Sequence, residues 1–129
     1  MSLSSKLWSG TGLFHCMVGL AVPELREPLL RIVREGTVQV VNMEERYARV
    51  AAMWFQLFGV LVVLQGLAWK QYVQETNAQE LPSWWGWSVT ALGIAFGKIM
   101  PESGWSLLLA QGIRIVWRNR NQKIEGKEE

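Results

Sequence analysis

The chain has 129 residues, half of them apolar, and 13 basic against 11 acidic side chains leave a formal net charge of +2. That length fits one domain, and so even a balance of charge argues against the clustered basic face of a nucleic-acid binder. One cysteine, Cys16, excludes an internal disulfide and any multi-cysteine metal site.

The apolar residues gather in four dense blocks. The first, residues 7–22, reads LWSGTGLFHCMVGLAV and closes at Pro23. As a helix it extends about 24 Å, slightly less than a hydrocarbon core of roughly 30 Å. Cys16 in this setting reads as a small hydrophobe. A secretory signal peptide is the rival reading, with Lys6 as its charged start and Gly19-Leu20-Ala21 as a small-x-small site. His15 and the glycines make a poor signal core.

Residues 24–48 form a charged connection. Pro28 suits the first turn of a short helix, Leu29, Leu30, Ile32 and Val33 supply an apolar side, and Gly36 a stop. The expectation is a short interfacial helix with Arg26, Arg31 and Arg34 towards headgroups or water; a solvated connection is the alternative.

Residues 50–69 are the clearest span: 20 residues without a charge, bracketed by Arg49 and Lys70, with Trp54 and Trp69 towards the ends as interfacial anchors. The polar stretch 71–83 reads as an aqueous loop. The third block, 84–100, opens on Trp84-Trp85-Gly86-Trp87, an aromatic belt. Pro101-Glu102-Ser103-Gly104 has the composition of a tight turn. The fourth block, 105–117, is short and contains Arg114, and residues 119–129 form a charged tail expected to be disordered.

The sequence therefore predicts an all-α integral membrane bundle of four transmembrane helices within residues 1–118, plus the short interfacial helix. Basic residues divide almost evenly between the two sides, so the positive-inside rule selects no orientation. Lipid offers no hydrophobic drive to helix pairing, so small residues must supply close approach. Candidates are Gly12, Cys16 and Gly19 on the first helix, Gly59 and Gly66 on the second, and the Gly93/Gly97 GxxxG on the third.

Polar residues inside the apolar blocks are functional candidates because they are costly there. His15, the only histidine, could act as a general acid or base. Its alternative is a hydrogen bond to a neighbouring helix, with Gln56, Gln65 or Thr90 as partner. Glu44 and Glu45 are further catalytic candidates, against a plain ion pair with Arg46 or Arg49. Gln111 and Arg114 share a helix face and, with Trp54, could contact a headgroup or an anionic ligand; snorkelling explains Arg114 as well. No metal site and no cofactor are expected, and P-loop, dinucleotide, HExxH, CxxC and GxSxG motifs are all missing from the sequence.

Three stretches carry a resemblance: Trp8 to Gly19 with its GxxHxxxG, Arg46 to Gly59 followed by Gly66, and Met100 to Leu109 around Pro101 and Gly104. They resemble a family of small four-helix membrane proteins of unknown function, DUF6463, over residues of about 7–118. His15, Trp54, Phe55, Gly59, Pro101 and Gly104 match its pattern. The resemblance implies a compact four-helix bundle with a long first loop, and no reaction.

Three functions are weighed. The first is a structural, assembly or lipid-binding component whose partners are the bilayer and another membrane protein. The second is a small membrane isomerase or cyclase acting on a lipophilic terpenoid or sterol-like molecule, with tryptophan faces to stabilise cations. The third is an oligomeric transporter or channel.

Overall fold

The computed structural model describes residues 3–99 and 104–125. Among the described residues there are five α-helices and no strand: α1 (Leu3–Ala21), α2 (Pro23–Glu35), α3 (Met43–Glu75), α4 (Ser83–Ile99) and α5 (Trp105–Glu125). The chain is all-α. Met100, most of the turn expected at 101–104, and residues 126–129 lie outside the described residues.

The helix boundaries have local causes. Val22 is extended, as the residue before a proline tends to be, and Pro23 starts α2, where its missing N–H has no partner to lose. Helix α2 therefore begins five residues before the start expected at Pro28, which instead sits inside it. Gly36 stops α2 as expected: its φ of 69° is left-handed, and its N–H reaches Ile32 O at 2.8 Å. Asn42 begins α3 by accepting from the N–H groups of Glu44 and Glu45 at 3.0 and 3.3 Å. Asn77, at φ 52°, ends it.

Helix α3 has 33 residues and an 18-residue window of mean hydropathy 1.9; among the described residues it alone is both long and apolar enough to cross a membrane. Helix α5 continues to Glu125, so the segment read as a disordered tail is helical over 119–125.

The chain divides into two compact units, one of Ser9–Gln65 and one of Met1–Trp8 with Gly66–Glu129. In the first, α1 and α3 meet backbone to backbone. A Cβ added at Gly12 would lie 2.7 Å from both Gly59 O and Val63 N, and one at Gly59 would collide with Cys16 Sγ. Gly19 faces Gln56 and Phe55. In the second unit α4 pairs with α5. Gly86 and Gly93 approach Gly112 and the Leu109 backbone, and a Cβ on Gly112 would lie 2.7 Å from Thr90 N. Gly66 is buried and Gly97 half-buried.

Trp69, expected as a surface anchor, is buried instead. Its ring packs on Trp8 (centroids 4.6 Å apart) and edge-on against Trp85 (5.2 Å), which stacks on Trp84. Two large indoles occupy one another's apolar faces, a stronger demand than interfacial wetting of one ring. Trp84 and Trp87 remain exposed.

Candidate functional site

Three groups of polar side chains stand out, two in the first unit and one in the second. The first is His15. From α1 its Nε2 donates to the main-chain carbonyl of Phe55 on α3 at 3.1 Å, so that nitrogen carries the proton. The ring stacks on Phe55 with centroids 3.8 Å apart and meets the edge of Phe58 at 5.4 Å. At the next position, Cys16 Sγ makes a long contact of 3.9 Å to Gln56 O. His15 thus takes the interhelical hydrogen-bond role, but to a carbonyl rather than to the side chains considered.

The second group joins α2 to the start of α3. Arg49 is 1% exposed, and its Nη2 donates to Glu35 Oε2 at 2.6 Å and to Glu45 Oε1 at 2.7 Å. Its Nη1 donates to Thr37 O at 2.9 Å, while Nε is buried without a partner. Glu45 also accepts from Arg31 Nη1 at 2.9 Å. The hydrogen bond from Arg49, then that from Arg31, hold the Glu45 carboxyl below the usual carboxylate range. Glu45 keeps its negative charge and neutralises two guanidinium groups, which is the behaviour of a structural counter-ion.

Glu44 is exposed and lines an open hollow of about 560 Å³ together with Glu24, Glu27, Arg31, Asn42 and Glu45. Within this unit Phe55, the partner of His15, lies ten residues beyond Glu45, or about 15 Å along the helix. The structure does not bring His15 together with Glu44 or Glu45.

The third group lies in the second unit. Arg114 on α5 donates to Ser4 Oγ of the first turn of α1, and its Nη1 lies 3.5 Å from Glu80 Oε2. The Glu80 side chain is 2% exposed, and its other oxygen accepts from the Leu81 N–H at 3.1 Å. Asn119 caps the arrangement, donating to Leu81 O at 2.7 Å and to Ile115 O at 2.8 Å. Gln111 is half-buried on the same helix, whereas Trp54, considered alongside it for ligand contact, is 60% exposed on α3. Among the described residues, no three histidine, cysteine or carboxylate side chains are grouped as metal ligands would be.

Arg49 carries a recognisable mark, a charge immediately before 20 uncharged residues. Glu35, Glu80, Ser4 and Asn119 have no such signal: they sit in polar stretches that read as solvated loops or tails. Gly86 and Gly112 are likewise invisible as a pair, because nothing in sequence aligns α4 with α5.

A model of the Family of unknown function (DUF6463) matches residues 2–122. The chain belongs to this family. The match takes in all three polar groups of this DUF6463 member, from Ser4 to Asn119, and most of α5 beyond residue 118. No curated protein and no solved structure matches the chain.

Proposed function

We propose that the chain is a small multi-pass integral membrane protein with an architectural role, as a structural, assembly or lipid-binding component of a membrane. One observation carries this reading. Beside a buried set that includes Trp8, Val62, Trp69, Val89 and Ile115, the helices leave Leu13, Phe14, Met17, Leu61, Leu64, Ile94 and Trp117 exposed along their apolar runs. A water-soluble chain of this size would leave far less large apolar surface outside. In lipid the same distribution is the low-energy one, because exposed apolar side chains meet acyl chains and the paired charges lie at the ends of the apolar runs.

In this reading α3 crosses the membrane and α1, α4 and α5 cross beside it. At 1.5 Å per residue, α1 and α4 measure about 28 and 26 Å and the apolar part of α5, residues 105–117, about 20 Å, against a hydrocarbon core of roughly 30 Å. Helix α3 measures about 50 Å, so its charged ends at 43–49 and 70–75 extend beyond the core on each side. The contacts among Ser4, Glu80 and Arg114 gather the first turn of α1, the α3–α4 connection and the second half of α5 at one end, as an even number of crossings requires. Close glycine contacts supply the packing that lipid does not drive.

The side chains with chemical capacity serve as ties in this arrangement: His15 to Phe55 O, Glu45 to two arginines, Arg114 to Ser4 and Glu80. This favours architecture over isomerase chemistry at His15. The test is alkaline washing of membranes carrying the chain, followed by native mass spectrometry in lipid nanodiscs. The chain should stay with the membrane pellet and retain lipid or a protein partner. Release by the wash would refute membrane integration, and a stoichiometric lipophilic metabolite would refute the purely architectural role.

A further inference from the structure

Helix α2 ties two of its charges, Arg31 and Glu35, to the start of α3, and Leu29, Leu30 and Val33 lie on the side away from those ties. Arg31 donates to Glu45 on α3, and Glu35 accepts from Arg49 on α3. At about 100° per residue, Val33 projects roughly 180° from the mean direction of Arg31 and Glu35, with Leu29 and Leu30 on either flank. Val33 is 80% exposed, Leu30 is exposed, and no residue of α2 is buried. In a helix on a soluble domain the apolar stripe faces the core and the charges face water. Here the apolar stripe has no core to face, while Arg31 and Glu35, about half exposed, hold the helix to α3.

The same ion pairs fix where α2 lies. Glu45 and Arg49 occupy the last charged turns of α3 before the charge-free residues 50–69. Helix α2 follows α1 after the single residue Val22, so no linker lets it drift from the end of that helix. If α3 spans the membrane as proposed above, on which the present inference rests, the pairs hold α2 at the level where headgroups meet acyl chains.

We infer that the outward face of α2, formed by Leu29, Leu30 and Val33, is a lipid-docking surface seated in the headgroup–acyl boundary of the bilayer. An interfacial helix enters that boundary by about 5–10 Å. Arg26 lies close to the Val33 direction and is paired with Glu27 at 3.1 Å; its long stem reaches outward to the phosphate level. Arg49 is then the post that holds the helix flat against the membrane end of α3.

The experiment uses the full chain in phosphatidylcholine–phosphatidylglycerol vesicles, in a Cys16→Ser background, with a nitroxide at Val33→Cys or at Leu61→Cys. Val33 and Leu61 are both exposed, so neither substitution disturbs packing. Collision with oxygen, which concentrates among acyl chains, is compared with collision with an aqueous nickel chelate. The expected result is oxygen exceeding the chelate at both positions. Oxygen at Leu61 with chelate at Val33 overturns the placement of α2 and leaves the spanning of α3 intact. Chelate at both overturns the two together. A Val33 label shielded from both reagents overturns the lipid assignment in favour of a second copy or a protein partner.

Discussion

The tightest approach between α1 and α3 gives a quantitative prediction. A Cβ at Gly12 would stand 2.7 Å from Gly59 O and from Val63 N, and ordinary contact begins at 3.4 Å. Both obstacles are backbone atoms, so no rotamer change relieves them, and the helices must separate by about 0.7 Å, costing roughly 1–3 kcal/mol as overpacking does. Gly10, outside this contact on the same helix, has nothing within 4 Å. Alanine there should gain the ordinary helix preference over glycine, up to about 1 kcal/mol. Gly12→Ala gains the same preference and loses it to the collision. The two variants should thus differ by about 2 kcal/mol, or roughly 30-fold in the unfolding equilibrium. Denaturant titration of both proteins in one mild detergent, followed by tryptophan fluorescence, measures the difference. Equal stability, or Gly12→Ala the more stable, would refute the close α1–α3 contact.

Three further outcomes follow from the polar groups. His15→Leu should lower stability in the same titration by about 1–2 kcal/mol, the sum of a hydrogen bond to Phe55 O and a ring stack on Phe55. Glu80→Ala should cost about 1–3 kcal/mol, less than a fully enclosed ion pair because Arg114 is 28% exposed and the contact is 3.5 Å long; Glu80→Gln, which keeps an acceptor for Leu81 N–H, should cost less. The depressed Glu45 carboxyl stabilises the folded form above the usual glutamate value of about 4.3 and loses that contribution as pH falls through its own lower value. The Glu45 side-chain carboxyl resonance should accordingly titrate below the ordinary glutamate value. Glu45→Gln should be less stable than the parent at pH 7, and the difference should shrink as pH falls through the Glu45 value.

Patterns of composition make the helices legible: long uncharged runs between charges, a proline at the start of α2, a glycine at its end. The charge-free run 50–69 is visible for the same reason, although α3 is 33 residues long because its polar flanks continue the helix without a break. The roles of single residues are less accessible. His15 reads as an interior polar group, yet its partner is a backbone carbonyl, which no sequence advertises. Trp69 reads as an anchor until Trp8 and Trp85, distant in sequence, are found against its ring. Glu80 is one acid in a polar loop, and only the fold shows that it is buried beside Arg114. Through the pairing of α4 with α5, Gly86 meets Gly112 and Gly93 of the GxxxG pair meets the Leu109 backbone.

Several membrane crossings, as proposed, place the α2–α3 connection on one side and the α3–α4 connection with the second half of α5 on the other. Single cysteines at Gln39, Gln79 and Arg120, all exposed positions outside the charge-free runs, can be labelled with a membrane-impermeant maleimide in sealed vesicles of known orientation. Gln79→Cys and Arg120→Cys should react from the same side, and Gln39→Cys only from the opposite side. Labelling of all three from one side would contradict this topology.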